Sequence, residues 1–197
     1  ALNEKYERSK KPTFENFTKK AIKVILYAQE EAYHFGDNYI GSEQILLGLI
    51  REETGIAAEV LKSMSVSLGL VRKEVNVLVK NYSKVVPDRF LFTPSTKEIL
   101  SIASKEAKEL KHSHIDTEHL ILGLTHEKNN VAVRILENLN IDISEIRVRV
   151  FDKLDHLNLR QTATTTIHKK TYKCTYCSHE MIAMTCPGEC EICGSSS

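Results

Sequence analysis

An all-α fold is expected from this chain: two pseudo-symmetric copies of one four-helix unit, followed by a small cysteine-rich ribbon. Three observations carry that expectation. The first is internal repetition. Ile40-Gly41-Ser42-Glu43-Gln44-Ile45-Leu46-Leu47-Gly48-Leu49 recurs 75 positions later as Ile115-Asp116-Thr117-Glu118-His119-Leu120-Ile121-Leu122-Gly123-Leu124. The same offset takes Thr18 to Thr93, Glu31-Ala32 to Glu106-Ala107, Ala57 to Ala132, Leu61 to Leu136 and Val75 to Val150. An offset without insertions means two copies of one folding unit, packed as a pair. The second is punctuation: no proline lies between Thr13 and Val86, which permits uninterrupted helices. The third is that all five cysteines lie between Cys174 and Cys193, outside the repeats.

The elements follow in chain order. Residues 1–13 are polar and are expected to be a flexible lead-in. Phe17, Ala21, Val24, Ala28 and Ala32 recur at steps of three and four, one face of an amphipathic helix. Ile45, Leu46, Leu49 and Ile50 mark a second helix, Ala57, Val60, Leu61 and Met64 a third, and Val71, Val75, Leu78 and Val79 a fourth. The second copy repeats the plan with Ile99 to Ala107, Leu120 to Leu124, Val131 to Leu139 and Ile143 to Leu154. No sheet is expected in either copy. Ser42 and Thr117 stand where N-caps are expected, each followed by a glutamate that complements the helix dipole. Thr93-Pro94 reads as an N-cap followed by proline at the first helical position. The repeated domain is thus placed at 14–156, with copies at about 14–86 and 87–156. Apolar periodicity fades after that, and four threonines between Thr162 and Thr166 mark 157–170 as a linker. Residues 171–197 are too few to fold by apolar burial alone and need a staple.

Bulk composition narrows the function classes. Hydrophobic residues make up 42% and charged residues 27%, the balance of a globular protein. The net charge is +1 with both signs interspersed, so no nucleic-acid footprint is present. The longest apolar run, Ile45 to Ile50, is far short of the roughly 20 residues of a membrane span, so no direct membrane insertion is expected. Clustered cysteines suit a reducing compartment and a local metal site rather than a disulfide scaffold.

Several motifs carry a family resemblance. Phe14-Glu15-Asn16-Phe17-Thr18-Lys19-Lys20-Ala21, Ala28-Gln29-Glu30-Glu31-Ala32, Ile40 to Leu49, Gly55-Ile56-Ala57-Ala58, Phe92-Thr93-Pro94 and Thr117-Glu118-His119-Leu120 fall in register from about Phe14 to Leu154. This region resembles the double Clp N-terminal domain of the ClpC chaperones, the unfoldase partners of the Clp protease. Lys20-Ala21-Ile22-Lys23-Val24-Ile25 and Gly41-Ser42-Glu43-Gln44 resemble the cyanobacterial and plastid branch. The resemblance implies a soluble protein of the chloroplast stroma or the cyanobacterial cytoplasm. The ATPase modules of such chaperones need a Gly-x4-Gly-Lys-[Ser/Thr] loop, and none of the eight glycines here is followed by lysine. The expectation is a stand-alone form, similar to the small plastid ClpT accessory subunits but with an added metal-binding tail.

Cys174-x2-Cys177 and Cys190-x2-Cys193 are two knuckles of zinc-ribbon or rubredoxin type. Four thiolates at this spacing can close a tetrahedron around Zn2+, with Fe as the alternative, and ligation would replace the missing core. Cys186 is the odd cysteine and is left outside the site; His179 is a substitute ligand. The family resemblance further implies a peptide-ligand role for Thr18 with Glu43 and for Thr93 with Glu118. In ClpC proteins of some bacteria the matching positions hold phosphorylated arginine: a threonine hydroxyl and helix amides take the phosphate, a carboxylate the guanidinium. The plain alternative is that these residues only cap helices. His112, His114 and His119 with Glu118 suggest a second metal cluster, against the commoner structural role of histidines near a helix start.

No catalytic signature accompanies these motifs. Neither His126-Glu127 nor His179-Glu180 completes a zincin motif, and no Gly-x-Ser-x-Gly elbow is present. The chain is therefore read as a non-catalytic accessory or adaptor of a Clp-type protease system. Its expected partners are proteins: chaperone or protease subunits, adaptors or substrates. Two alternatives stand beside that reading, an assembly factor reusing the domain as a scaffold in a larger, photosynthetic complex and a rubredoxin-like electron carrier with a docking domain.

Overall fold

The computed structural model describes residues 14–79, 91–165, 170–173 and 180–183. A short 3-10 turn, Phe14–Asn16, leads into α1 (Lys19–Phe35), α2 (Ser42–Glu52), α3 (Ile56–Ser63) and α4 (Leu68–Leu78). The second copy supplies α5 (Pro94–Glu109), α6 (Thr117–His126), α7 (Val131–Asn138) and α8 (Ile143–Thr165). Two four-helix repeats therefore form the all-α architecture expected of the sequence. The chain forms two compact units, Ala1–Asp152 and Lys153–Ser197. The second holds the C-terminal part of α8 and an antiparallel pair, β3 (Lys170–Lys173) with β4 (Glu180–Ala183). The segment 157–170, expected as a linker, is helical as far as Thr165. Its threonines are weak helix formers, but a helix already nucleated upstream extends at low cost per residue.

The core of the first unit is α2 and α6. Every residue from Ser42 to Leu49 and from Thr117 to Thr125 is buried. Each of these helices is crossed closely by the long helix that precedes it. A Cβ at Gly48 would collide with the Val24 carbonyl and the Ala28 amide, and one at Gly123 with the Ile99 carbonyl and the Ala103 amide. The four contacted positions are the same two positions in each repeat, so both glycines serve one backbone-to-backbone crossing. Around that crossing Val24, Ala28, Ile45, Leu49, Ile99, Ala103, Leu120 and Leu124 are fully buried.

The repeats interlock rather than merely abut. The described residues include a two-residue parallel pair, β1 (Tyr39–Ile40) with β2 (Leu91–Phe92), and an isolated parallel bridge between Phe17 and Ile115. Thr93 N–H donates to the Ile40 carbonyl at 3.1 Å, and Thr18 N–H to the Ile115 carbonyl at 2.9 Å. The lead-in of each repeat thus pairs with the segment before the buried helix of the other. No sheet had been expected, because two-residue strands are too short to show alternation. Helix starts cross the boundary too. Ser42 and Thr117, expected as N-caps, are the first residues of their helices, and the caps are Gly41 and Asp116. The Ser42 hydroxyl instead accepts from Ala132 N–H at the start of α7, at 3.1 Å. The Thr117 side chain lies against Gly55, the N-cap of α3. Thr93 is an N-cap followed by Pro94, as expected.

Two buried carboxylates tie each repeat's first and last helices. Glu31 is 1% exposed and accepts from Arg51 at 2.9 Å and from Arg72 at 2.6 Å. Its counterpart Glu106 accepts from Arg147 at 2.9 and 3.2 Å. Pairing of this kind offsets the several kcal/mol that desolvating an unpaired charge costs.

Candidate functional site

Two equivalent corners form where a lead-in segment of one repeat meets the head of the other repeat's buried helix. Thr18 caps α1, its hydroxyl accepting from Ala21 N–H at 3.1 Å. Thr93 caps α5, accepting from Thr96 N–H at 3.2 Å. The Thr96 hydroxyl lies 3.0 Å from that of Thr93 and donates to the Ile40 carbonyl at 2.9 Å. Backbone pairing joins Thr18 to Ile115, three residues before Glu118, and Thr93 to Ile40, three residues before Glu43. The ties therefore run crosswise, Thr18 toward the Glu118 helix and Thr93 toward the Glu43 helix. The ladders do not join the within-repeat pairs, Thr18 with Glu43 and Thr93 with Glu118, in which the family resemblance grouped these residues.

Both glutamates are buried in the first turn of their helices, Glu43 8% and Glu118 7% exposed. Each folds back beside the preceding hydroxyl, Ser42 donating to Glu43 at 3.3 Å and Thr117 to Glu118 at 3.5 Å. Burial pushes the Glu118 carboxyl up to about 7; its own backbone amide, the Thr117 hydroxyl and Lys20 pull it down, while Asp116 adds to the rise. Burial also raises Glu43, with its backbone amide and Ser42 opposing and Asp37 reinforcing. A desolvated carboxylate at a protein surface corner gains most from a cation that replaces its lost hydration. Lys20, which donates to the Thr54 carbonyl at 2.9 Å, acts on the charge of the Glu118 corner.

Behind each glutamate lies a polar pair, one member buried and the other half-buried. In the first repeat Gly41 N–H donates to Gln44 Oε1 at 2.7 Å, and Gln44 Nε2 donates to Asp37 at 3.0 Å. In the second, Asp116 N–H donates to His119 Nδ1 at 2.9 Å, and His119 Nε2 lies 2.9 Å from His112 Nδ1. His112 occupies the place of Asp37 and His119 that of Gln44. His114 stands apart, exposed and bonded to the Ser113 hydroxyl at 2.8 Å. His112, His119 and Glu118 do bring ligand atoms within 4.8 Å of one another. The hydrogen bonds argue against a cation there. His119 Nδ1 is already an acceptor, so a neutral ring carries its proton on Nε2, the atom a metal would need bare. The tail ligands Cys174, Cys177, Cys190 and Cys193, with Cys186 and His179, lie outside the described residues. The strands that flank the first pair, β3 and β4, are joined in register from Lys170–Ala183 to Lys173–Glu180.

Sequence reasoning placed the threonines and glutamates but missed the crosswise ties, Lys20 and the histidine relay. The signal for the relay was present in the offset itself, which sets His112 on Asp37 and His119 on Gln44.

The family profile described as the Clp repeat (R) N-terminal domain matches residues 16–139 and 91–171. The chloroplastic chaperone protein ClpC1 of Arabidopsis thaliana is 52% identical over 140 residues, 71% of this chain and 15% of the relative. The chain thus spans under a sixth of that relative's length. Among solved structures, the N-terminal domain of the chaperone ClpD from Arabidopsis thaliana superimposes with a TM-score of 0.62 at 22% identity. It covers 73% of this chain and 97% of that one. A ClpV N-domain solved in complex with a VipB peptide gives 0.53 at 14% identity, covering 67% and 82%. At such identities the two structures share the fold with this chain. No helix among the described residues is long and apolar enough to cross a membrane.

Proposed function

Because the chain belongs to the Clp repeat N-terminal domain family, we propose that it is a non-catalytic recognition component of a Clp-type chaperone–protease system. It would bind protein segments at the two corners and present them to an unfoldase or protease. The observation that carries this reading is the duplicated corner: a buried glutamate in the first turn of one repeat's helix, whose preceding segment pairs with a threonine-capped helix start of the other, twice over. The peptide-bound ClpV N-domain supports a polypeptide ligand by fold likeness. Phosphorylated arginine fits the corner chemistry best. The helix-start amides and the threonine O–H donate to phosphate oxygens, and Glu118 or Glu43 accepts from the guanidinium. Thr18, Glu43, Thr93 and Glu118 remain the residues assigned to this role.

We further propose that Cys174, Cys177, Cys190 and Cys193 hold Zn2+, with Fe as the alternative, and that the tail offers a second contact surface. The donor set and spacing support it, as does the pairing of the strands on either side of Cys174-x2-Cys177. Likeness to chloroplastic relatives supports a plastid or cyanobacterial setting for such a component.

The test is affinity purification from the native source, comparing the wild-type chain with the Glu43→Ala/Glu118→Ala variant. Clp chaperone or protease subunits should co-purify, and a phosphoarginine peptide should lose about tenfold or more in affinity for the variant. Equal peptide affinity removes the assigned corners; purification without any Clp component favours the scaffold reading.

A further inference from the structure

The two repeats close the head of the buried helix with different chemistry. In the first, an amide side chain does the work, and Gln44 has no proton to gain near neutrality. In the second, the same two links run through imidazoles: Asp116 N–H to His119 Nδ1, and His119 Nε2 to His112 Nδ1. Each link needs an unprotonated nitrogen. A proton on His119 places an N–H against the Asp116 N–H. A proton on His112 places an N–H against that of His119. Either addition turns an acceptor into a donor and breaks the chain of bonds.

We infer that His112 and His119 form a proton-sensitive latch on the second repeat, one that acidification opens while the equivalent Asp37–Gln44 latch of the first repeat stays closed. The fold explains why the rings meet. Lys111 adopts φ 58° where the first repeat has Gly36 at φ 73°, so both repeats turn alike after their long helix. His112 N–H then returns to the Ala107 carbonyl at 2.8 Å, as Asp37 N–H does to Ala32. That turn aims residue 112 at the head of α6. His119 itself is fully buried.

The surroundings bear on the sign. Burial is the main force holding His119 down to about 4. The nearby His112 adds to the depression, and Asp116 and Glu106 oppose it. Glu106 is itself neutralised by Arg147 of α8, and Glu118, whose carboxylate lies within 4.8 Å of the rings, is answered by Lys20 of α1. A histidine held below its ordinary 6.5 stabilises the fold above that value and loses the contribution as pH falls toward about 4. Glu118, raised from 4.5 to about 7, does the reverse, losing its contribution as pH rises through about 7. Between these limits the two proton counts offset one another. Melting temperature is therefore a poor reporter, and the latch must be read locally.

The experiment is nuclear magnetic resonance on the whole chain, with the Gly41 amide as internal reference for the Asp116 amide. At neutral pH His119 should be the Nε2–H tautomer. Between about pH 7.5 and 3.5 the Asp116 amide should lose about tenfold or more in exchange protection relative to Gly41, the loss developing as pH falls toward about 4. The His112→Asp/His119→Gln variant, which copies the first repeat, should hold its protection across that range. If that variant does not fold, the wild-type titration decides alone. An Nδ1–H tautomer, pH-independent protection at Asp116, or displacement of both ring signals by one equivalent of Zn2+ at neutral pH would each overturn the latch.

Discussion

Lys111 is a single residue whose geometry conflicts with its side chain. It ends α5 in the left-handed region, which costs a β-carbon-bearing residue of the order of 1 kcal/mol and which glycine enters freely. Its counterpart Gly36 makes the same turn with no such cost, closing α1 through bonds to the Ala32 and Tyr33 carbonyls. Lys111→Gly is therefore expected to stabilise the protein by up to about 1 kcal/mol, less the extra freedom glycine gains when unfolded. Chemical denaturation with an unchanged m-value checks it; a loss of stability would mean that the lysine side chain makes a compensating contact. The residue scale also shows how far a repeat can drift. Asp37 with Gln44 and His112 with His119 share one geometry and differ in what protons do to them. Aligning the copies exposes that substitution in the sequence. The hydrogen bonds that give it meaning depend on atoms brought together by folding.

At the scale of elements, the decisive feature is the close crossing of α1 on α2 and of α5 on α6. Gly48 and Gly123 allow backbones to touch where any side chain would force them apart. Gly48→Ala or Gly123→Ala would otherwise gain about 1 kcal/mol of helix propensity. Overpacking against carbonyl and amide atoms that cannot swing away should reverse that sign, for a net loss of about 1–3 kcal/mol each. A thermal or urea unfolding series would settle it, and a neutral or stabilising result at either glycine would show that the crossing is looser than described. The helices themselves were legible in advance, because their apolar faces repeat at three and four residues. Cap positions were not. Ser42 and Thr117 have the right residue type for a cap, and only the nearby start of the other repeat's short helix shows why their hydroxyls turn outward from that role.

Taken as a whole, the first unit is a pair of interlocked repeats, so each corner exists only when both copies are folded. Glu43 sits on one copy and the lead-in that reaches it, with Thr93, belongs to the other. The metal site proposed for the tail carries its own prediction. Cys174→Ser with Cys177→Ser is expected to remove one bound metal ion per chain while leaving the far-ultraviolet helical signal intact, since ligation energy on the order of 10 kcal/mol would be confined to the tail. Elemental analysis distinguishes zinc from iron, and the visible spectrum gives a second check, because an iron tetrathiolate is coloured. Undiminished metal content in the variant would place the ion elsewhere.

The glutamates and threonines of the corners were named through a family resemblance; from the order of amino acids alone came the helical class, the duplication and the four helices of each copy. These are properties of spacing along one chain, and periodic burial writes them directly into the residue pattern. The crosswise clasp of Thr18 with Ile115 and Thr93 with Ile40, the buried ion pairs at Glu31 and Glu106, and the histidine latch came only from the folded molecule. Each joins groups from 7 to 97 positions apart through directional hydrogen bonds, and such bonds follow from where packing sets two backbones, which no local pattern encodes.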